Sequence, residues 1–124
     1  QPDVSRGKIK KKTVIEMNNY LKDVIKLDDI FVCYHDDDDK CKCRKPRPGL
    51  LLVACKKWNI DLKRSYMIGD RWKDIEAGRS VGCKTIFIDY NYKETKPKNP
   101  NFTADSLLNS VYIIEKIQDR KNKQ

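Results

Sequence analysis

Three short apolar runs, separated by stretches with helical spacing, limit what this chain can fold into. Ile30-Phe31-Val32, Tyr66-Met67-Ile68 and Thr85-Ile86-Phe87-Ile88 lack any alternation of apolar and polar residues. That is the pattern of strands covered on both faces. Between them the residues are too many for hairpins. Val14, Met17, Leu21, Val24 and Ile25 fall on one face of a helix, and Thr13 and Glu16 have the spacing of a capping box at its start. Asp29 to Tyr34 is then predicted as the first strand. Pro46 and Pro48 precede a predicted helix over Gly49 to Trp58, with Leu51, Leu52, Cys55 and Trp58 inward. Tyr66 to Ile68 is the second strand and ends at Gly69-Asp70. A helix from Trp72 to Val81 is stopped by Gly82, and Thr85 to Ile88 is the third strand. After a polar stretch from Asp89 to Pro100 comes a last helix, capped by Asp105 or Ser106, with Leu107, Leu108, Val111, Ile114 and Ile117 on one face. Residues 119–124 are expected to fray. Helices alternating with fully apolar strands imply right-handed crossovers, hence a Rossmann-like α/β fold: a parallel sheet with helices on both faces, in one domain over residues 1–124.

Ligands of such sheets sit beyond the carboxyl ends of the strands, and two chemically distinctive groups follow predicted strand ends. The first is Cys33-Tyr34-His35, then Cys41-Lys42-Cys43-Arg44-Lys45-Pro46. Three of the five cysteines and the only histidine fall within eleven positions. Two claws of i, i+2 ligands can close on one tetrahedral ion, and the Cys3His set is one that zinc prefers. With all four positions filled by Cys33, His35, Cys41 and Cys43, such a site is structural: it pins loop 33–43 and with it Arg44 and Lys45. Asp36 to Asp39, between the claws, is read as a solvated loop tip.

The second group is Gly69-Asp70-Arg71-Trp72-Lys73-Asp74. A carboxylate just past a buried strand, beside a glycine that permits close backbone approach, suits a hard divalent cation that also holds phosphate oxygens. Asp74, in the first turn of the next helix, is placed to orient its neighbours. The competing reading of Asp70 is an ordinary helix N-cap. Cys55 and Cys83, in apolar settings, are expected to be buried and inert.

Composition narrows the class. A chain of 124 residues buries roughly two thirds of its unfolded surface, enough for one core without disulfides. Odd, clustered cysteines point to a reducing compartment and to the cytoplasm. No apolar run reaches the ~18 residues of a membrane span. Lys and Arg outnumber Asp and Glu by 27 to 18, a net charge of +9. The lysines are spread along the whole chain, so a solvated surface is expected and nucleic acid is not expected as a partner. A zinc module binding nucleic acid is the non-enzymatic alternative.

Taken together, Cys33-x-His35-x5-Cys41-x-Cys43-Arg44-Lys45-Pro46-x-Pro48-Gly49 and Met67-Ile68-Gly69-Asp70-x3-Asp74-Ile75-Glu76-Ala77-Gly78 resemble the haloacid dehalogenase superfamily phosphatases of the heptose bisphosphate and histidinol-phosphate type. The resemblance covers roughly Gln1 to Asp89. It implies a phosphatase for a phosphorylated small molecule, first D-glycero-D-manno-heptose 1,7-bisphosphate and alternatively histidinol phosphate, with an aspartate nucleophile and Mg2+, monomeric when complete. It further implies that Lys45 steadies nucleophile and phosphate, that Asp70 and the Arg71 carbonyl bind magnesium, and that Gln1, Arg44 and Arg71 lie against substrate. The family's first motif, Asp-x-Asp on the first strand, has no counterpart here. The chain is therefore expected to be the carboxyl-terminal two thirds of such an enzyme, without its first two strands, and inactive alone.

Overall fold

The computed structural model describes residues 1–123. In chain order the elements are α1 (Pro2–Ser5), α2 (Lys11–Ile25), α3 (Gly49–Trp58), β1 (Tyr66–Gly69), α4 (Trp72–Ser80), β2 (Lys84–Ile88), β3 (Phe102–Ala104) and α5 (Leu107–Asn122), with 3-10 turns at Asp37–Asp39 and Leu62–Arg64. The sheet is fully parallel in the order β1-β2-β3, with Ile68 opposite Ile86 and Phe87 opposite Thr103. Four consecutive residues of β2, Thr85 to Ile88, are buried. Since successive side chains point to opposite faces, both faces of β2 are covered, as the unbroken apolar run requires. α4 packs on β1 and β2, and α5 on β2 and β3. At one close contact, a Cβ built on Gly78 of α4 would lie 2.4 Å from Met67 Cβ, so helix and strand approach as they do only because that side chain is missing.

The two βα units centred on β1 and β2 form where the apolar pattern places them. Gly82 ends α4 at φ +85°, the left-handed conformation that favours glycine. Ser106, not Asp105, caps α5: its hydroxyl accepts the Asn109 amide at 3.1 Å. The helix continues past residue 118 to Asn122, and Gln124, the end of the stretch expected to fray, lies outside the described residues.

Four expectations are corrected. Asp29 to Tyr34 is extended but joins no sheet among the described residues; an apolar run reports burial tendency, and a strand also needs a backbone neighbour to bond. The third strand is instead Phe102–Ala104, held beside β2 where the Asn101 side chain accepts the Thr85 amide at 2.8 Å and the Asn101 amide donates to the Thr85 hydroxyl at 3.1 Å. Helix α2 begins at Lys11 without a side-chain cap, so the Thr13–Glu16 box does not form. Of its expected inward face only Val14 is buried; Met17, Leu21, Val24 and Ile25 are exposed, as are Leu52 and Trp58 of α3. With residues 29–34 outside the sheet, these two helices have no strand surface beneath them. Cys55 and Cys83 are half-buried, not buried.

Polar ties take the place of a ladder for the 29–34 segment. The Asp29 carboxylate accepts from Lys57 Nζ at 2.6 Å and from Trp58 Nε1 at 2.8 Å, anchoring the segment to the end of α3. Those two donors, Lys57 foremost, hold the Asp29 carboxyl at about 2, below its ordinary 3.8. A depressed folded value stabilises the fold above about pH 4 and is lost as the pH falls toward 2. Asp29→Asn is therefore expected to lower the melting temperature by a few degrees at neutral pH, with the gap to wild type closing between pH 4 and 2. A gap that stays constant across that range contradicts the tie.

Candidate active site

Both groups singled out in the sequence face one cavity of about 540 Å³, which lies between the 29–34 segment and the carboxyl end of β1. Gln1, Arg44, Lys45, Asp70, Arg71 and Asp74 all line it, as do Cys33 and Cys43. His35 and Cys41 are not part of its wall. Trp72 and Lys73 complete the side nearest α4.

The carboxylate side is built by the turn from β1 into α4. The N-cap of α4 is Arg71, so Asp70 is not spent on capping, and the competing reading of that residue falls. Its one side-chain partner among the described residues is Tyr92, whose hydroxyl donates to Asp70 Oδ2 at 3.0 Å. The Tyr92 phenol is pushed above its ordinary range by that bond. Asp74 is only 5% exposed. Its Oδ2 accepts the Arg71 amide at 3.1 Å, and its Oδ1 takes the ammonium of Lys45. A Cβ on Gly69 would stand 2.2 Å from Asp74 Cβ, so the residue before Asp70 must lack a side chain for Asp74 to reach its place. The Arg71 carbonyl accepts the amides of Asp74 and Ile75 at 3.1 and 3.5 Å.

Opposite stands the Cys/His loop. Sγ of Cys43 lies 3.1 Å from that of Cys33 and 3.5 Å from that of Cys41, and Cys33 and Cys41 are 3.7 Å apart. His35 Nδ1 is 3.2 Å from Cys43 and 3.5 Å from Cys33. All four ligand atoms fall within 4.8 Å of one another, and all three cysteines are free thiols. A tetrahedral ion with metal–sulfur bonds of about 2.3 Å sets its sulfurs roughly 3.8 Å apart, so the four residues fit a metal. Burial raises Cys41, but bonds from the Arg44 backbone and the Cys43 thiol outweigh it and bring it down to about 7. Burial and the other two sulfurs push Cys43 up to about 12. Three crowded sulfurs cannot all ionise without a cation among them.

The acidic run between the claws is more than a free tip. Asp36 pairs with Arg6, Asp39 accepts from Ser5 Oγ at 2.7 Å, and Asp37 accepts from Arg44 Nε at 2.6 Å. Arg44, expected against substrate, thus lines the cavity while tied to Asp37. The Gln1 backbone nitrogen lies 2.8 Å from the Cys33 carbonyl oxygen. Tyr92 and Glu94 were missed by sequence reasoning, which read residues 89–100 only as a polar stretch before the last helix. Glu94 pairs with Arg71 at 3.0 Å, and the Arg71 guanidinium stands 5.4 Å from the centre of the Tyr92 ring. One signal was available: the loop follows the carboxyl end of β2, the same edge of the sheet as Asp70.

The HAD-hydrolase-like family model matches residues 42–112, more than half of the chain. The chain belongs to that family. Within it, the sequence is 33% identical over 124 residues to D-glycero-alpha-D-manno-heptose-1,7-bisphosphate 7-phosphatase of Campylobacter jejuni, covering 96% of this chain and 69% of that relative. It is 37% identical over 101 residues to D-glycero-beta-D-manno-heptose-1,7-bisphosphate 7-phosphatase of Pasteurella multocida, covering 77% of this chain and 51% of the relative. The chain spans about half the length of curated relatives such as the latter. The crystal structure of D,D-heptose 1.7-bisphosphate phosphatase from B. bronchiseptica, complexed with magnesium and phosphate, superposes with a TM-score of 0.81 at 22% identity, over 94% of this chain and 70% of that one. That likeness shows the α/β fold of the family. The matched residues 42–112 include Cys43, Lys45, Asp70 and Asp74.

Gly69→Ala tests how the carboxylate side is assembled. The added methyl has to displace Asp74, so a loss of about 1–3 kcal/mol in denaturant unfolding is expected. A loss below ~0.5 kcal/mol, the level of an ordinary surface change, contradicts the close approach.

Proposed function

We propose that these residues form the Lys45/Asp70 side of the active site of a cytoplasmic phosphatase. Its substrate is a sugar phosphate monoester, D-glycero-D-manno-heptose 1,7-bisphosphate first. The observation that carries this reading is the meeting of Lys45 and the Asp70–Asp74 turn in one cavity at the carboxyl edge of a parallel sheet. The names of the relatives support the substrate. Histidinol phosphate is the second candidate, because the histidine biosynthesis bifunctional protein HisB of Buchnera aphidicola is 40% identical over 96 residues.

Phosphoryl transfer needs positioning and charge neutralisation more than covalent chemistry from the protein. Lys45 supplies a point charge for the equatorial phosphate oxygens, and Asp74 holds its ammonium at the cavity wall. Arg71 is placed to contact substrate from the rim. Asp70, with the Arg71 carbonyl, is proposed to hold magnesium. Bound there, the ion neutralises phosphate oxygens beside a wall that otherwise carries the carboxylates Asp70, Asp74 and Glu94. Each of the last two is engaged by a cation and Asp70 by Tyr92. The family resemblance implies an aspartate nucleophile on a motif with no counterpart here, and the proposal has that aspartate supplied from outside the 124 residues. Zinc on Cys33, His35, Cys41 and Cys43 is proposed as a structural ion: it holds Cys43, two residues before Lys45, and so fixes the position from which the lysine acts.

The test is magnesium-dependent phosphate release by the product of the whole open reading frame that encodes these residues, with heptose 1,7-bisphosphate and histidinol phosphate as separate substrates. The heptose compound is expected to be the faster. Lys45→Ala should cut kcat by about 10²–10³ while keeping about one zinc per chain and losing less melting temperature than Cys43→Ala. Cys43→Ala should lose zinc, melting temperature and activity together. Full activity in Lys45→Ala, or equal melting losses in the two variants, overturns the assignment.

A further inference from the structure

The amino end of the sheet carries a second concavity, of about 290 Å³, that the proposed reaction does not use. Three elements build it. The turn Leu62–Arg64 brings Lys63 and Arg64, the first residues of β1 and β2 bring Tyr66 and Lys84, and the end of α5 brings Gln118 and Lys121. Tyr66 and Lys84 are register partners at the start of parallel strands, whereas Asp70 follows the strand's other end. The two cavities therefore sit at opposite ends of the sheet.

The frame is fixed by backbone and short side chains. The Asp61 carboxylate accepts the Lys63 amide at 3.1 Å, the Ser65 hydroxyl donates to the Asp61 carbonyl at 2.7 Å, and the Lys84 amide donates to the Ser65 carbonyl at 3.0 Å. Lys84 is half-buried, with its Nζ 5.8 Å from the centre of the Tyr66 ring.

Charge separates this concavity from the first. In the candidate active site Arg44, Lys45 and Arg71 each have a carboxylate partner. Here Lys63, Arg64, Lys84 and Lys121 converge with no carboxylate in the wall, and none of the four makes an ion pair among the described residues. Lys121 has a reason of its own to be there, since cations suit the last turn of a helix. Lys63, Arg64 and Lys84 have none. Four like charges around one hollow repel each other until an anion enters it. At ~30 Å³ per water the hollow holds about ten waters, room for a small ligand rather than a duplex. The Tyr66 hydroxyl and the Gln118 amide add neutral donors.

From this convergence we infer that the hollow is a binding site for a small polyanion with two or more phosphoryl groups, separate from the site of phosphoryl transfer. The test is calorimetric titration of inorganic tripolyphosphate into the purified product of the whole open reading frame, at low salt and without divalent metal. Saturable binding is expected. Arg64→Ala combined with Lys84→Ala should weaken it by about tenfold or more, given the strength of charge-assisted bonds to phosphate. Lys63→Glu, on an exposed turn where folding is not at risk, should act in the same direction, and Lys45→Ala should leave it unchanged. The inference is overturned by the absence of binding at millimolar tripolyphosphate, by affinity that survives both basic-hollow variants, or by binding lost in Lys45→Ala, which would move it to the other cavity. It is also overturned if single-stranded oligonucleotides displace tripolyphosphate with affinity that grows with length, since the surface would then be a nucleic-acid track.

Discussion

The contact between the Lys45 ammonium and the buried Asp74 carboxylate joins two parts of the chain that no sheet or helix packing brings together. Lys45 belongs to a loop in which four sulfur and nitrogen atoms converge. Asp74 belongs to a βα unit whose order comes from apolar burial. Where they meet, the loop becomes a wall of the cavity and the carboxylates of the α4 turn acquire a cation. A lysine held only by its own stem would sample many rotamers, at an entropic cost to any bond it made. Here Asp74 holds its tip, and the proposed zinc on the cysteine cluster would hold its backbone two residues away. Asp74 can do so because Gly69 leaves it room and the Arg71 amide satisfies its other oxygen.

This arrangement explains why the cavity tolerates so much charge. Both signs of charge line the α4 side and the rim, and basic groups line the loop side, with each of these side-chain cations matched to a carboxylate: Arg44 and Lys73 to Asp37, Lys45 to Asp74, Arg71 to Glu94. Asp70 is the exception, bonded to a neutral phenol. A carboxylate without a cation, at a strand end, is where a divalent ion would add most. The rim loop after β2 takes part through Tyr92 and Glu94, so the site draws on three successive segments at one edge of the sheet.

Much of this was legible in the sequence, for identifiable reasons. Helix α3 was announced by Pro46 and Pro48, and β1 and α4 were ended by Gly69 and Gly82, residues whose backbone requirements are local. The convergence of Cys33, His35, Cys41 and Cys43 was legible because cysteine and histidine at i, i+2 have few other uses. What was not legible depended on neighbours distant in sequence. Residues 29–34 have the composition of a strand, and whether they pair is decided by what lies beside them. β3 is three residues in a polar context, and its place is set by Asn101 reaching Thr85 sixteen positions away. Tyr92 and Glu94 carry no motif, and their role follows only from where the β2 loop lands.

A double-mutant cycle on Lys45→Met and Asp74→Asn, read as unfolding free energy in denaturant, addresses the joining contact itself. If the loop and the α4 turn are held together through this pair, the double variant should lose little more than the worse single one, with a coupling of about 1 kcal/mol or more. Losses that simply add would show that the two groups stand side by side without depending on each other, and the proposed wall of the active site would lose its physical basis.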